Sequence, residues 1–163
     1  MSRDSDGLDQ GLVETRGNPN AMADSFVKRF VVLKHDVGPQ FERTTESHLD
    51  WMFEAGEALS TWSTDLRTQF ENSFDTGCFK LADHRLVYLD REGDLGGGRG
   101  SVLRILAGEF TQVASVLPDV TFKAVLRWQT DSGVRYARIE ISQRPAGKDS
   151  KSDPVCALRF SIG

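Results

Sequence analysis

The sequence predicts a mainly β protein of antiparallel strands, a barrel or a sandwich, with one or two short helices in a single domain over residues 28–163. Three observations carry this. Apolar and polar residues alternate with a period of two in several stretches, most clearly in His48-Leu49-Asp50-Trp51-Met52-Phe53-Glu54, as a strand with one buried face requires. Turn signals recur at short intervals, and the runs between them are poor in Gly and Pro. Stretches with helical periodicity are few, and many short strands with few helices are the pattern of all-β architectures.

Residues 1–27 read as a disordered tail, because Asp, Gly, Pro and Asn are scattered there without apolar periodicity. Phe30-Val31-Val32-Leu33-Lys34-His35 is a β-branched and aromatic run, hence a strand, with His35 at its exit before Asp36 and the turn signal Gly38-Pro39. Residues 36–47 form a polar connection. In the strand that follows, Leu49, Trp51 and Phe53 share one face, while His48, Asp50, Met52 and Glu54 share the other. That spacing aims an imidazole and a carboxylate the same way. Ala55-Gly56-Glu57 reads as a tight hairpin turn into Ala58–Trp62.

Leu66, Phe70 and Phe74 at i, i+4 and i+8 suggest one short helix over Asp65–Phe74. Cys78–Ala82 leads into Asp83–Gly93, where His84 and Tyr88 share a face in either a strand or a helix. Gly96-Gly97-Gly98-Arg99-Gly100 reads as a flexible turn or as backbone brought close to something else. It lacks the Gly-Lys-Ser/Thr of a phosphate-binding loop and has no βαβ surroundings. The remaining strands are Ser101–Leu106, Glu109–Ala114, Thr121–Trp128, Val134–Ile141 and Val155–Ile162, with turns at Gly108 and at Asp131-Ser132-Gly133 and a mobile loop over 144–154.

Composition narrows the function. A formal net charge of −4 gives no basic signature of a non-specific nucleic-acid binder. No apolar run reaches membrane-spanning length, and the N-terminus lacks the apolar core of a signal peptide. Cys78 and Cys156 are far apart and form no CxxC motif, so reduced thiols in a cytoplasmic setting are expected.

The three histidines each have an aspartate nearby: His35-Asp36, His48-x-Asp50 and Asp83-His84. Two imidazoles and one carboxylate suit Mn²⁺, Zn²⁺, Fe²⁺ or Co²⁺. A third imidazole is then available as a general acid or a donor to developing charge.

Several blocks resemble the 3′-phosphoesterase domain of the bacterial DNA ligase D family, particularly its short stand-alone relatives. They are Arg29–Asp36, Ser47–Glu54, Thr61-Trp62, Leu81–Gly93 and Gly97–Val102. The resemblance runs with gaps from Arg29 to the C-terminus, and the last third matches only in strand pattern. It implies a small antiparallel β-barrel with a polar cavity and a divalent metal, usually Mn²⁺, with Zn²⁺ or Co²⁺ as alternatives. It implies hydrolysis of phosphoesters at nucleic-acid 3′ ends in DNA repair. The chain contains no recognisable ligase or polymerase domain, so those are expected as separate proteins, and a monomer is expected. By motif position, His35, His48 and Asp50 would be metal ligands, and His84 and Tyr88 would contact the phosphate. Three features depart from the family pattern. The chain has Leu49 where the family has an aromatic and Met52 where it has a phosphate-binding arginine, and the gap from His35 to His48 is longer. Arg85 or Arg99 is expected to supply the missing cation, with Arg91 a further candidate.

Two other functions fit parts of the pattern. One is a catalytically silent barrel that binds a nucleic-acid end or a protein partner, which Met52 favours. The other is an Fe²⁺ and 2-oxoglutarate dioxygenase, for which His48-x-Asp50…His84 would be the ligand triad and Arg99-Gly100-Ser101 the oxoacid site.

Overall fold

The computed structural model describes residues 27–145 and 154–163. The tail predicted over 1–27 lies outside the described residues except for Val27, and so does residues 146–153 of the loop predicted over 144–154.

The strands are β1 (Lys28–Val37), β2 (His48–Ala55), β3 (Ala58–Thr64), β4 (Phe74–Arg85), β5 (Gly93–Asp94), β6 (Gly100–Gln112), β7 (Val120–Thr130), β8 (Gly133–Gln143) and β9 (Cys156–Ile162). They follow the order β1-β2-β3-β4-β9-β8-β7-β6-β5, and β6 pairs back onto β1. Every pairing is antiparallel. Eight strands therefore close into a barrel, which leaves no long edge open to another chain. Among the described residues, no helix is long and apolar enough to cross a membrane.

Strand alternation fills the barrel interior. Phe30, Val32, Leu49, Trp51, Phe53, Phe122, Leu126, Ile139 and Phe160 all belong to one buried cluster. Its aromatic rings interlock, with Phe53 4.7 Å from Phe122 and 5.3 Å from Phe110, centroid to centroid. Each such buried side chain contributes about 1.5–3 kcal/mol. The opposite face of the same strands carries a second apolar layer: Val31, Leu33, Met52 and Leu59, covered by Leu89, Leu95 and Val102. β2 is thus buried on both faces over His48–Phe53, and its polar side chains are roofed over.

The hairpin at Ala55-Gly56-Glu57 forms as expected, with Gly56 at φ +63°. Other expectations are corrected. The helix over Asp65–Phe74 does not form; residues 65–73 are irregular and Phe74 opens β4. Leu66 is exposed, whereas the Phe70 ring lies 5.8 Å from both Trp51 and Phe160. The aromatics of this segment pack onto the barrel's aromatic core, and that packing overrides their helical spacing. The one helical element among the described residues is a 3₁₀ turn at Leu86–Leu89.

Gly108 is not a turn. It lies inside β6, opposite Phe30 on β1 and Trp128 on β7, and a Cβ there would run into the Arg127 carbonyl. The bend of β6 comes instead from a register shift: Val32 pairs with Leu106 but Leu33 with Arg104, leaving Ile105 as the extra residue of a bulge.

The expectation of two free thiols is also corrected. Cys78 on β4 and Cys156 on β9 are directly paired in register, with Cα atoms 5.1 Å apart, and form a disulfide. Their separation of 78 residues hides a proximity that only barrel topology creates.

Candidate metal centre

The β1–β2 register assembles the site. His35 is directly opposite His48, and Leu33 is opposite Asp50. Cross-strand neighbours on one face lie about 5 Å apart at Cβ, and diagonal neighbours remain within reach of long side chains. His35, His48 and Asp50 consequently converge, each offering one ligating atom, with all three atoms within 4.8 Å of one another. All three residues are buried.

Each imidazole is oriented by a backbone carbonyl. His35 Nε2 is 3.0 Å from the Arg99 carbonyl oxygen, and His48 Nδ1 is 3.0 Å from the Glu46 carbonyl oxygen. A carbonyl only accepts, so those nitrogens carry the protons. The lone pairs of His35 Nδ1 and His48 Nε2 are left facing Asp50, at 3.9 Å and 3.4 Å from its carboxylate oxygens. Carbonyls that fix tautomer and ring angle are the usual outer support of metal-binding histidines. Burial holds the His35 imidazole below the ordinary histidine pKa, and the nearby His48 acts in the same direction, against the raising effect of the Arg99 carbonyl and Asp50. His35 is thereby kept in the neutral form that ligates.

Asp50 Oδ1 is the one buried side-chain N or O atom among the described residues without a hydrogen-bond partner. A buried carboxylate oxygen without a hydrogen-bond partner is costly unless a cation reaches it. The donor set, two nitrogens and a carboxylate, fits a borderline divalent ion such as Zn²⁺, Mn²⁺ or Co²⁺.

His35 and Asp50 line a cavity of about 410 Å³, together with Phe41, Arg43, Met52, His84, Tyr88 and Arg99. His84 is the penultimate residue of β4 and Tyr88 lies in the 3₁₀ turn, yet their rings still meet edge to face at 5.4 Å. His84 Nδ1 is 3.0 Å from the Ala82 carbonyl oxygen and so donates to it, leaving Nε2 as an acceptor. His84 stands in the cavity but outside the three-residue cluster. The dioxygenase triad His48, Asp50 and His84 is therefore not the group that converges.

Arg99 lines the cavity, but its guanidinium donates to the Leu95 and Gly96 carbonyls. The glycine-rich loop is packed rather than free. Gly100 has φ +97° and a Cβ there would overlap the Asp36 carbonyl, while Gln40 N–H donates to the Gly98 carbonyl at 2.9 Å. Arg85 is exposed and does not line the cavity. Met52 lines the cavity but belongs to the apolar cluster of Val31, Leu33 and Leu59 and carries no charge.

The cation nearest the cluster is Arg43, from the connection between β1 and β2. Its Nη2 donates to His48 Nε2 at 2.7 Å and lies 3.8 Å from Asp50 Oδ1. Phe41, from the same connection, stands edge-on to His35 at 4.6 Å. Sequence reasoning missed both, because that stretch has no periodicity to show which side chains turn inward. The extra length between His35 and His48 was the available signal.

A larger opening of about 740 Å³ lies at one barrel end among Phe53, Trp62, Phe122 and Gln143. It holds no converging ligand group among the described residues. No protein-family model matches the chain, and the search of curated proteins returns no match.

Proposed function

We propose that His35, His48 and Asp50 hold a divalent metal ion, Mn²⁺ or a similar borderline ion such as Zn²⁺ or Co²⁺. On this reading the protein is a metal-dependent phosphoesterase acting on nucleic-acid 3′ ends in DNA repair. The observation that carries the metal is the convergence of two carbonyl-oriented imidazoles on a buried carboxylate with one orphaned oxygen. The phosphoesterase step rests on the family resemblance and on the makeup of the facing wall.

A bound divalent ion supplies charge that polarises a phosphoryl oxygen. The chain's own groups do the rest. His84, on the wall beside Tyr88, would take a proton at Nε2 from the water that adds to phosphorus and return it to the 3′ oxygen that leaves as the P–O bond breaks, and the Tyr88 hydroxyl would hydrogen-bond the phosphate. Phe41 and Met52 line the cavity and limit water around the reacting group. Monomeric action beside separate ligase and polymerase proteins completes the proposal.

The test has two readouts. Mn²⁺ and Zn²⁺ should raise the melting temperature of the wild type but not of His48→Ala, since a ligand that binds the native state stabilises it by mass action. A 3′-phosphorylated primer should be dephosphorylated by the wild type with Mn²⁺ and left intact by His84→Ala, which should keep its metal-dependent stabilisation. A wild type that binds metal but does not act on the primer would favour the second reading, a silent barrel that binds nucleic-acid ends. Met52, buried among Val31, Leu33 and Leu59 in place of an arginine, is the observation on that side.

A further inference from the structure

His48 Nε2 is claimed twice. Its single lone pair accepts a hydrogen bond from Arg43 Nη2 at 2.7 Å, and the same lone pair belongs to the converging ligand set. An imidazole nitrogen has one in-plane lone pair and cannot serve both partners. We propose that Arg43 and the metal exclude each other at His48, and that the metal turns the Arg43 guanidinium into the cavity as its anion-binding group. This rests on the metal reading given above.

Three observations make Arg43 the residue able to move. It belongs to the irregular connection between β1 and β2, so its displacement breaks no strand pairing. Its other holds on the barrel are one long hydrogen bond, Nη1 to Ser63 Oγ at 3.4 Å, and a 3.8 Å approach to Asp50 Oδ1, and its side chain is 38% exposed. Its guanidinium stands 5.3 Å from the Phe41 ring centroid, a surface over which it can slide without losing that contact.

The other candidates are spoken for. Arg99 is tied to the Leu95 and Gly96 carbonyls, Arg91 donates to the Asp94 carbonyl at 3.4 Å and does not line the cavity, Arg85 is outside it, and Met52 carries no charge. A dication at His48 and Asp50 would repel the guanidinium, and a phosphoryl group beside that dication would attract it. Its ligand class is a phosphate monoester or diester oxyanion. The pairing would also keep the buried carboxylate near a positive charge until metal arrives.

Calorimetry with metal alone tests the exclusion. Arg43→Met keeps the length of the side chain and removes the donor and the charge. Zn²⁺ should bind Arg43→Met about tenfold or more tightly than wild type, the scale of one lost charge-assisted hydrogen bond. Binding by Arg43→Met when the wild type shows none would support the proposal equally. Inorganic phosphate should bind the Mn²⁺-saturated wild type about tenfold more tightly than Mn²⁺-saturated Arg43→Met. Equal or weaker Zn²⁺ binding by Arg43→Met, with the wild type still binding through His48, would overturn the exclusion and leave the metal reading standing. Equal phosphate affinities would overturn the anion-binding role. If wild type and Arg43→Met both fail to bind Zn²⁺ or Mn²⁺ while their far-ultraviolet circular dichroism is native, both readings fall.

Discussion

Asp50 carries a carboxylate that is buried at 4% exposure, with Oδ1 lacking a hydrogen-bond partner. An arrangement that serves ligation at the expense of stability should show it on substitution. Asp50→Asn is expected to unfold at the same or a higher temperature than wild type when both are prepared without metal, by about 1 kcal/mol at most. It should lose the stabilisation that Mn²⁺ or Zn²⁺ gives the wild type. Thermal melts with and without metal measure both effects. His35 has a pH consequence. Burial lowers its folded pKa, so the unfolded chain takes up the proton first as pH falls. The stability this neutral imidazole contributes is full above pH about 6.5 and is lost as pH drops below that value toward the lowered folded pKa. Urea unfolding at pH 7.5 and 5.5 should show a smaller loss for His35→Gln than for wild type. Of the site residues, His48 and Asp50 were legible because a strand's period of two places them on one face. Arg43 was not, because an irregular connection has no period from which direction can be read.

At the scale of elements, β2 was readable because both of its faces are specified by side-chain chemistry, and the turn at Gly56 follows directly. The stretch over residues 65–73 was not, because Phe70 and Phe74 answer to Trp51 and Phe160 rather than to helical periodicity. Gly108 misled for a related reason. Its small size serves the close approach of the β7 backbone, not a turn. The glycine-rich loop repeats that lesson at the His35 cluster, since it sets the Arg99 carbonyl against His35 Nε2. Gly100→Ala should cost about 1–3 kcal/mol, because φ +97° is strained for alanine and its Cβ would overlap the Asp36 carbonyl. It should also weaken metal binding by loosening His35. Chemical denaturation and metal titration of the variant check the two parts separately.

For the whole molecule, closure of the barrel does what no local pattern records. It places β6 against β1 and seats the Gly96–Gly100 loop on the exit of β1. It also brings Cys78 to Cys156 across 78 residues. That bridge should contribute about 2–4 kcal/mol, mainly by restricting the unfolded chain, so the double variant Cys78→Ser, Cys156→Ser should unfold at correspondingly lower denaturant. The antiparallel β class was legible from alternation and turn spacing, and the barrel came through the family resemblance. Which residues meet was legible only where a hairpin register could be guessed, as between β2 and β3. The central claim is the metal centre, and anomalous diffraction from crystals soaked in Mn²⁺ tests it most directly. The account predicts one strong peak within about 2.0–2.3 Å of His35 Nδ1, His48 Nε2 and an Asp50 carboxylate oxygen. Mn²⁺ peaks confined to exposed carboxylates, with none among these three residues, would contradict it.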